Sequence, residues 1–323
     1  MAAMSDSAHL LIPFAAARDP GCREAALQLR LPQLQRMLDR LAPGAPNAGD
    51  ERSLSPPHER VLAAGCGLSA PDGCIPWAAW QVQQQRPDQG GAGGQAWAWI
   101  TPCHWHVATD HIVMRHPAQV RLDGEDSQAL LAAMRPFFEQ DGIALDYHAP
   151  TRWLAHGELF RGLATASLDR VLGRDIDEWV PRAAAAAPLR RLQQEMQMLL
   201  YTHPVNDARV RGGLLPVNSF WASGTGALPP AHAAAPPSGL LLPHTLRDAA
   251  LLGDWSAWTA AWQQVDGQQC RQLNEILDRG GEVTLTLCGE SNARRWSGRD
   301  AGWWHRLRAR VGRQPFAAML DTL

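Results

Sequence analysis

The chain has 323 residues, 30 basic and 32 acidic, giving a formal charge of −2 and an isoelectric point near 6.6. That balance leaves no electrostatic footprint for nucleic acid or an acidic membrane, and no apolar run approaches the roughly 18–20 residues that span a bilayer. Every basic residue is arginine, which excludes lysine phosphate loops and lysine Schiff-base chemistry.

In chain order, residues 9–14 (HLLIPF) are a short apolar run that fits a first buried strand. Residues 24–41 carry apolar side chains at helical spacing, with Pro32 starting a second helix at its first turn. Residues 56–64 suit a short helix capped by Ser55. The run 86–95 (RPDQGGAGGQ) is the clearest linker of the first half. Residues 96–114 predict two strands and 118–122 another, whereas 125–139 has a helical apolar face. Short strands are expected at 143–148, 151–154 and 159–164, followed by a helix over 188–200. A Pro/Ala-rich connector occupies 227–239, and 239–242 fits a strand. Helices are expected over 246–262 and 266–279, the latter capped by Asp266 and ended by Gly280. Residues 283–287 fit a closing strand, and 303–320 a terminal helix or two.

The densest stretch is 203–226, HPVNDARVRGGLLPVNSFWASGTG. Pro204 and Asn206 suit a helix end or turn, 216–221 a buried strand, and Ser223-Gly224-Thr225-Gly226 a turn closing it. After a strand, such a turn can aim several backbone N–H groups into one anion-binding concavity. Arg209 lies between the turns as the fork-shaped cation for a phosphate or carboxylate, with His203, Asn206 and Asn218 around it. A second candidate is 103–111, CHWHVATDH. On a strand, His104 and His106 share a face, and with Asp110 and His111 they form the available metal-ligand set; without metal, Cys103 and His104 line a cleft. Arg152 is a further candidate ligand arginine. Ser223 is not a G-x-S-x-G nucleophile, since Trp221 stands where the first glycine is required.

The central pattern resembles that of the bacterial RpfE-type regulatory proteins, themselves similar to cofactor-independent phosphoglycerate mutases of the alkaline phosphatase superfamily. The mutase-like block is matched by Asn206, Arg209, Gly213, Pro216, Asn218, Gly224 and Gly226. The resemblance implies an α/β fold: an alkaline-phosphatase-like, mostly parallel sheet with helices on both faces, split by a smaller α+β insertion. On that view 1–95 and 186–323 form the core and 96–185 the inserted domain. Enzymes of that superfamily transfer phosphoryl groups between two divalent metals held by carboxylates and histidines. Their pattern places an Asp-Gly after the first strand, where this chain has Phe14-Ala15, and an Asp-His pair after a later strand, where it has Cys288-Gly289-Glu290. Only Ser53 and Ser55 stand in the nucleophile region.

These departures predict a catalytically degenerate relative, a pseudoenzyme with no cofactor. It is expected to bind a small phosphorylated or carboxylate metabolite, or a protein partner, in a regulatory role. The expected site is a cleft between the two domains, with His203, Asn206, Arg209, Asn218 and the 223–226 turn on one wall and 103–111 on the other. One alternative is an active metal-dependent mutase or phosphohydrolase using His104, His106, Asp110 and His111; the other is a pure protein-interaction module. The six cysteines (22, 66, 74, 103, 270, 288) form no CxxC pair, and the N-terminus MAAMSDSAHLL lacks the features of a signal peptide. Both point to a reduced, cytoplasmic protein.

Overall fold

The computed structural model of the chain describes residues 7–85, 94–229, 236–299, 319, 320, 322 and 323. In chain order the elements are β1 (Ser7–Ile12), α1 (Pro20–Gln28), α2 (Pro32–Leu38), β2 (Ala42–Pro43), α3 (Pro57–Gly65), α4 (Trp77–Gln85), β3 (Ala96–Cys103), β4 (Trp105–Val107), β5 (Ile112–Met114), α5 (Pro117–Val120), α6 (Gly124–Gln140), β6 (Ala144–Ala149) and β7 (Arg152–His156). There follow α7 (Leu168–Val171), α8 (Ala187–Tyr201), α9 (Pro204–Arg211), β8 (Ser219–Ala227), β9 (Leu240–Leu241), α10 (Thr245–Leu251), α11 (Trp255–Val265), α12 (Arg271–Asp278), β10 (Glu282–Cys288) and β11 (Ala293–Gly298). The chain forms two compact units, one made of Met1–Cys66 with Pro236–Leu323 and the other of Gly67–Ala235.

The first unit is α/β. Its sheet has the order β2-β11-β10-β1-β9; β10, β1 and β9 run parallel, and β11 and β2 close one edge antiparallel. Alternation along β1 sorts its side chains onto two faces. Leu10 and Ile12 join Val283, Leu285 and Leu287 in a core completed by α1, α2, α11 and α12. Leu11 faces the other way, with Cys288 and Ala293, under Val61 and Leu62 of α3. The α11–α12 junction is a single π turn over Asp266–Cys270. Its Asp266 carboxylate accepts the N–H groups of Leu34 (2.7 Å) and Gln33 (3.3 Å) at the start of α2. Asp266 therefore caps a neighbouring helix rather than its own.

The second unit is an antiparallel sheet, β6-β7-β3-β8, with the small β4–β5 hairpin beside it. One face buries Ala96, Ala98, Ile100, Trp153, Phe220 and Ala222 against Leu130, Met134 and Phe138 of α6 and Leu189, Leu192 and Met196 of α8. Trp153 also donates to Ser127 Oγ (2.9 Å), which donates on to the Pro150 carbonyl (2.7 Å). This unit is wider than the 96–185 segment and no smaller than the first. The reason is β8, which hydrogen-bonds along β3 from Cys103↔Ser219 to Ala96↔Ala227 and so carries the 203–226 stretch into it.

Several local expectations are corrected. Residues 118–122 are not a strand, because His116 caps α5 with Pro117 at its first position. Residues 159–164 begin in a 3-10 turn, Glu158–Phe160, rather than a strand. Gly253, at φ 68°, breaks 246–262 into α10 and α11. No Ser55 side-chain cap starts α3, whose N-cap is Pro56. Residues 86–93 of the linker, 230–235 of the 227–239 connector and most of the 303–320 helix lie outside the described residues. No helix among the described residues is long and apolar enough to cross a membrane.

His9 on β1 shares a hydrogen bond with Thr286 Oγ1 (2.9 Å). Burial, with the charge of Arg295 nearby, lowers its pKa from 6.5 to about 4. Between those values the unfolded chain takes up a proton that the folded chain refuses, so stability present above pH 6.5 drains away as pH falls towards 4. Urea midpoints at about pH 7 and about pH 4.5 are expected to fall further in the wild type than in His9→Gln; equal falls would show that His9 is not the titrating group.

Candidate functional site

The candidate ligand and metal residues of the sequence all lie in the second unit, where most serve as structural joints. Asn206 is buried on α9: its amide donates to the carbonyls of Leu200 (2.8 Å) and Val217 (2.7 Å), and its oxygen accepts the Val217 N–H (2.9 Å). Asn218 clamps Trp105 in the same reciprocal way, at 2.7 and 2.9 Å. Arg209 is 2% exposed. Its guanidinium donates to Asp126 (2.8 Å), to the Val120 carbonyl (2.5 Å) and to the Leu215 carbonyl (3.1 Å), joining the segments around α5, α6 and β8. His203 caps α9 by accepting the Val205 N–H at Nδ1 (3.3 Å).

The 223–226 segment is not a turn; it belongs to β8. Thr225 is buried and donates to the Leu163 carbonyl (2.6 Å). Gly224 has φ 61°, and a Cβ there would stand 3.1 Å from both Trp77 and Trp99. Gly226 likewise leaves 3.0 Å to Pro76 Cβ. The glycines admit a crossing segment, at an irregularity in the register between Trp97 and Trp99, and no anion cradle forms. Ser223 lies buried opposite Trp99.

The second candidate set does not converge either. Cys103 is fully buried, which pushes its thiol far up. His104 donates from Nδ1 to the Pro216 carbonyl (2.8 Å). Burial holds its pKa below 6.5, helped by His106 and Arg115 and opposed by that bond. The His104 and His106 rings are 6.2 Å apart, while His111 turns to Asp110 (2.6 Å). No three of His104, His106, Asp110 and His111 come close enough to share one ion. Arg152 lies over the Trp99 ring, 5.1 Å from its centre.

A cleft that no motif announced opens in the first unit, beyond the carboxyl ends of β1 and β10. This is where parallel α/β sheets collect ligand sites. Phe14, just after β1, has φ 51°, a conformation uncommon for a non-glycine residue and one that stores strain. It is held there by Trp258 Nε1, which donates to its carbonyl (2.9 Å), and by the Ala15 N–H, which donates to the Cys288 carbonyl (2.8 Å). Residues 16–18 then run past the 289–292 loop. Arg18 donates from its backbone to Glu290 (3.0 Å) and from Nη2 to Ser291 Oγ (3.1 Å), and it pairs with Glu51. Arg60 donates to the carbonyls of Ser55 (2.7 Å) and Ser291 (3.1 Å).

The cleft measures about 270 Å³ and is lined by Arg18, Cys22, Arg23, Glu290, Ser291 and Asn292, with small and apolar residues between them. Burial pushes the Cys22 thiol up to about 11; Glu290 and Asp19 add to the rise and the Ala17 N–H opposes it. The thiol is therefore neutral at pH 7 and is no nucleophile. Arg18, paired with Glu51, and Arg23 bring guanidiniums to the lining beside the Glu290 carboxylate and hydroxyl and amide groups, a set that suits a small anion with further polar groups.

No family model matches the chain, and no curated protein does. Among solved structures it is similar to a cofactor-independent phosphoglycerate mutase from Thermoplasma acidophilum, at 14% identity and a TM-score of 0.36, covering 91% of this chain and 90% of that one. It is also similar to a protein from Pyrococcus horikoshii, at 10% identity and a TM-score of 0.47, covering 98% and 95%. Likeness at this level assigns neither activity nor residues to this chain.

Arg209→Ala leaves the Val120 and Leu215 carbonyls and the Asp126 carboxylate without their donor. It is expected to cost about 2–4 kcal/mol in urea unfolding. A loss below about 0.5 kcal/mol, the scale of an ordinary surface substitution, would contradict the structural role.

Proposed function

We propose that this protein is a catalytically degenerate, phosphoglycerate-mutase-like scaffold. It binds a small phosphorylated or carboxylate metabolite in the first unit's cleft and acts through that binding as a regulator. The observation that carries the reading is the chemistry at the ends of β1 and β10, where a phosphoryl-transfer enzyme of this kind keeps its metal ligands. Phe14 and Ala15 follow β1, and Cys288, Gly289 and Glu290 end or follow β10. Of these only Glu290 has a carboxylate, which already accepts the Arg18 N–H, and burial holds the Cys288 thiol protonated. These residues do not fit a two-metal centre. Arg18, which also pairs with Glu51, and Arg23 bring guanidiniums to the cleft at the place where the sheet presents its loops.

The test is thermal unfolding with 3-phosphoglycerate, glycerate and inorganic phosphate, alongside metal analysis of protein purified without chelators. At about 100 times Kd, a ligand adds about 2.7 kcal/mol of stability. Arg18→Ala with Arg23→Ala is expected to abolish the shift. A stoichiometric divalent ion, with a ligand shift that vanishes on chelation, would replace this reading by the active-enzyme one. If no anion stabilises the wild type, the metabolite reading fails. Attention then moves to a protein partner on α8 and α9, where Met198, Tyr201 and Val210 are 75%, 82% and 57% exposed.

A further inference from the structure

Charge is not evenly placed along the cleft. Arg18 and Arg23 are both exposed and stand at its mouth, where the Arg18 side chain keeps 62% of its surface open while pairing with Glu51. Glu290 is half-buried, and one of its carboxylate oxygens accepts the Arg18 N–H (3.0 Å). The inner lining, Cys22 and Ala26, is 2% and 6% exposed. The charges that act on the Cys22 sulfur are the carboxylates of Glu290 and Asp19, which hold the thiol neutral. The inner end of the cleft is therefore negative and its mouth positive.

Such a gradient suits a ligand with the opposite order of charge, a positive group inward and a negative one outward. A phosphate dianion would instead set its charge against Glu290. An ammonium group brings three donors, and the same loop offers acceptors for them in the Glu290 carboxylate and in Ser291 Oγ, whose first lone pair takes the Arg18 Nη2 hydrogen bond (3.1 Å). The volume of about 270 Å³ lies below the roughly 300–1,000 Å³ of pockets that hold drug-sized molecules, so the ligand has few heavy atoms.

We propose that the cleft selects a small amino acid over other carboxylates and over phosphate, with the ammonium on Glu290 and Ser291 Oγ and the carboxylate towards Arg18 and Arg23. Glu290 is then the residue that sets specificity. This rests on the metabolite reading of the cleft and narrows it from carboxylates in general to those that carry an amine.

L-serine and L-glycerate test it, because they match in size and differ only in an ammonium or a hydroxyl beside the carboxylate. The full chain is titrated calorimetrically with each, and with inorganic phosphate. The wild type is expected to bind serine about tenfold more tightly than glycerate, the scale of one hydrogen bond to a charged group. Glu290→Gln keeps an oxygen for the Arg18 N–H and is expected to lose that preference. Arg23→Gln is expected to weaken both ligands alike, since both carry the carboxylate. Glycerate binding as tightly as serine, or a preference that survives in Glu290→Gln, would overturn the amino-acid assignment while leaving the cleft as a carboxylate site. Failure of serine, glycerate and phosphate alike would overturn the metabolite reading, and this assignment with it.

Discussion

The parallel pairing of β1 with β10, from Ser7↔Glu282 to Ile12↔Leu287, is the constraint on which the first unit depends. It fixes which face each side chain of β1 takes. With period-two alternation, a slip of one residue would carry Leu10 and Ile12 out of the main core and put His9 into it. The same register brings Phe14–Arg18 alongside the 289–292 loop and so makes the cleft. The strain at Phe14 is sustained because the pairing is finished on both sides of it, by the Trp258 indole and by the Cys288 carbonyl.

The second unit is held by buried polar joints. Asn206, Asn218, Arg209 and Thr225 each tie a loop to a regular element, and nearly every hydrogen-bonding group they offer is matched. Such networks fix one arrangement strongly because a half-satisfied alternative leaves polar atoms stranded in low dielectric. This explains why the 203–226 stretch is so dense in asparagine, arginine and glycine. Density of special residues there reflects how hard the backbone is to anchor between α9 and β8.

How much was legible in the residues followed from how local each signal was. The faces of α6 and α8 and the apolar run of β1 depend on spacing within a few residues, and they were readable. The role of Asp266 was not readable from sequence, since the Leu34 N–H it accepts lies 232 residues earlier. Gly224 and Gly226 suggested a turn because their real neighbours, Pro76 and Trp77, are remote in sequence. The strand β11 (ARRWSG) was missed because two adjacent arginines interrupt its alternation, and its partners supply the pairing. The α/β class was legible, whereas the extent of the second unit was not. The cleft escaped notice because its walls include Ala16, Ala17 and Ala26, residues useful for being small, and its arginines sit in no motif.

One consequence of the split first unit concerns the order in which the molecule can assemble. Strand β1 has its long partner about 275 residues downstream, so at a synthesis rate of about 5–20 residues per second it waits roughly 15–55 s before β10 exists. The second unit is continuous in the chain and pairs its strands over shorter separations, which favours its earlier closure on the ribosome. During that interval the apolar run Leu10–Ile12 is exposed without a sheet to join. The nascent chain is therefore most prone to aggregate, and most in need of a chaperone, while its first strand remains unpaired.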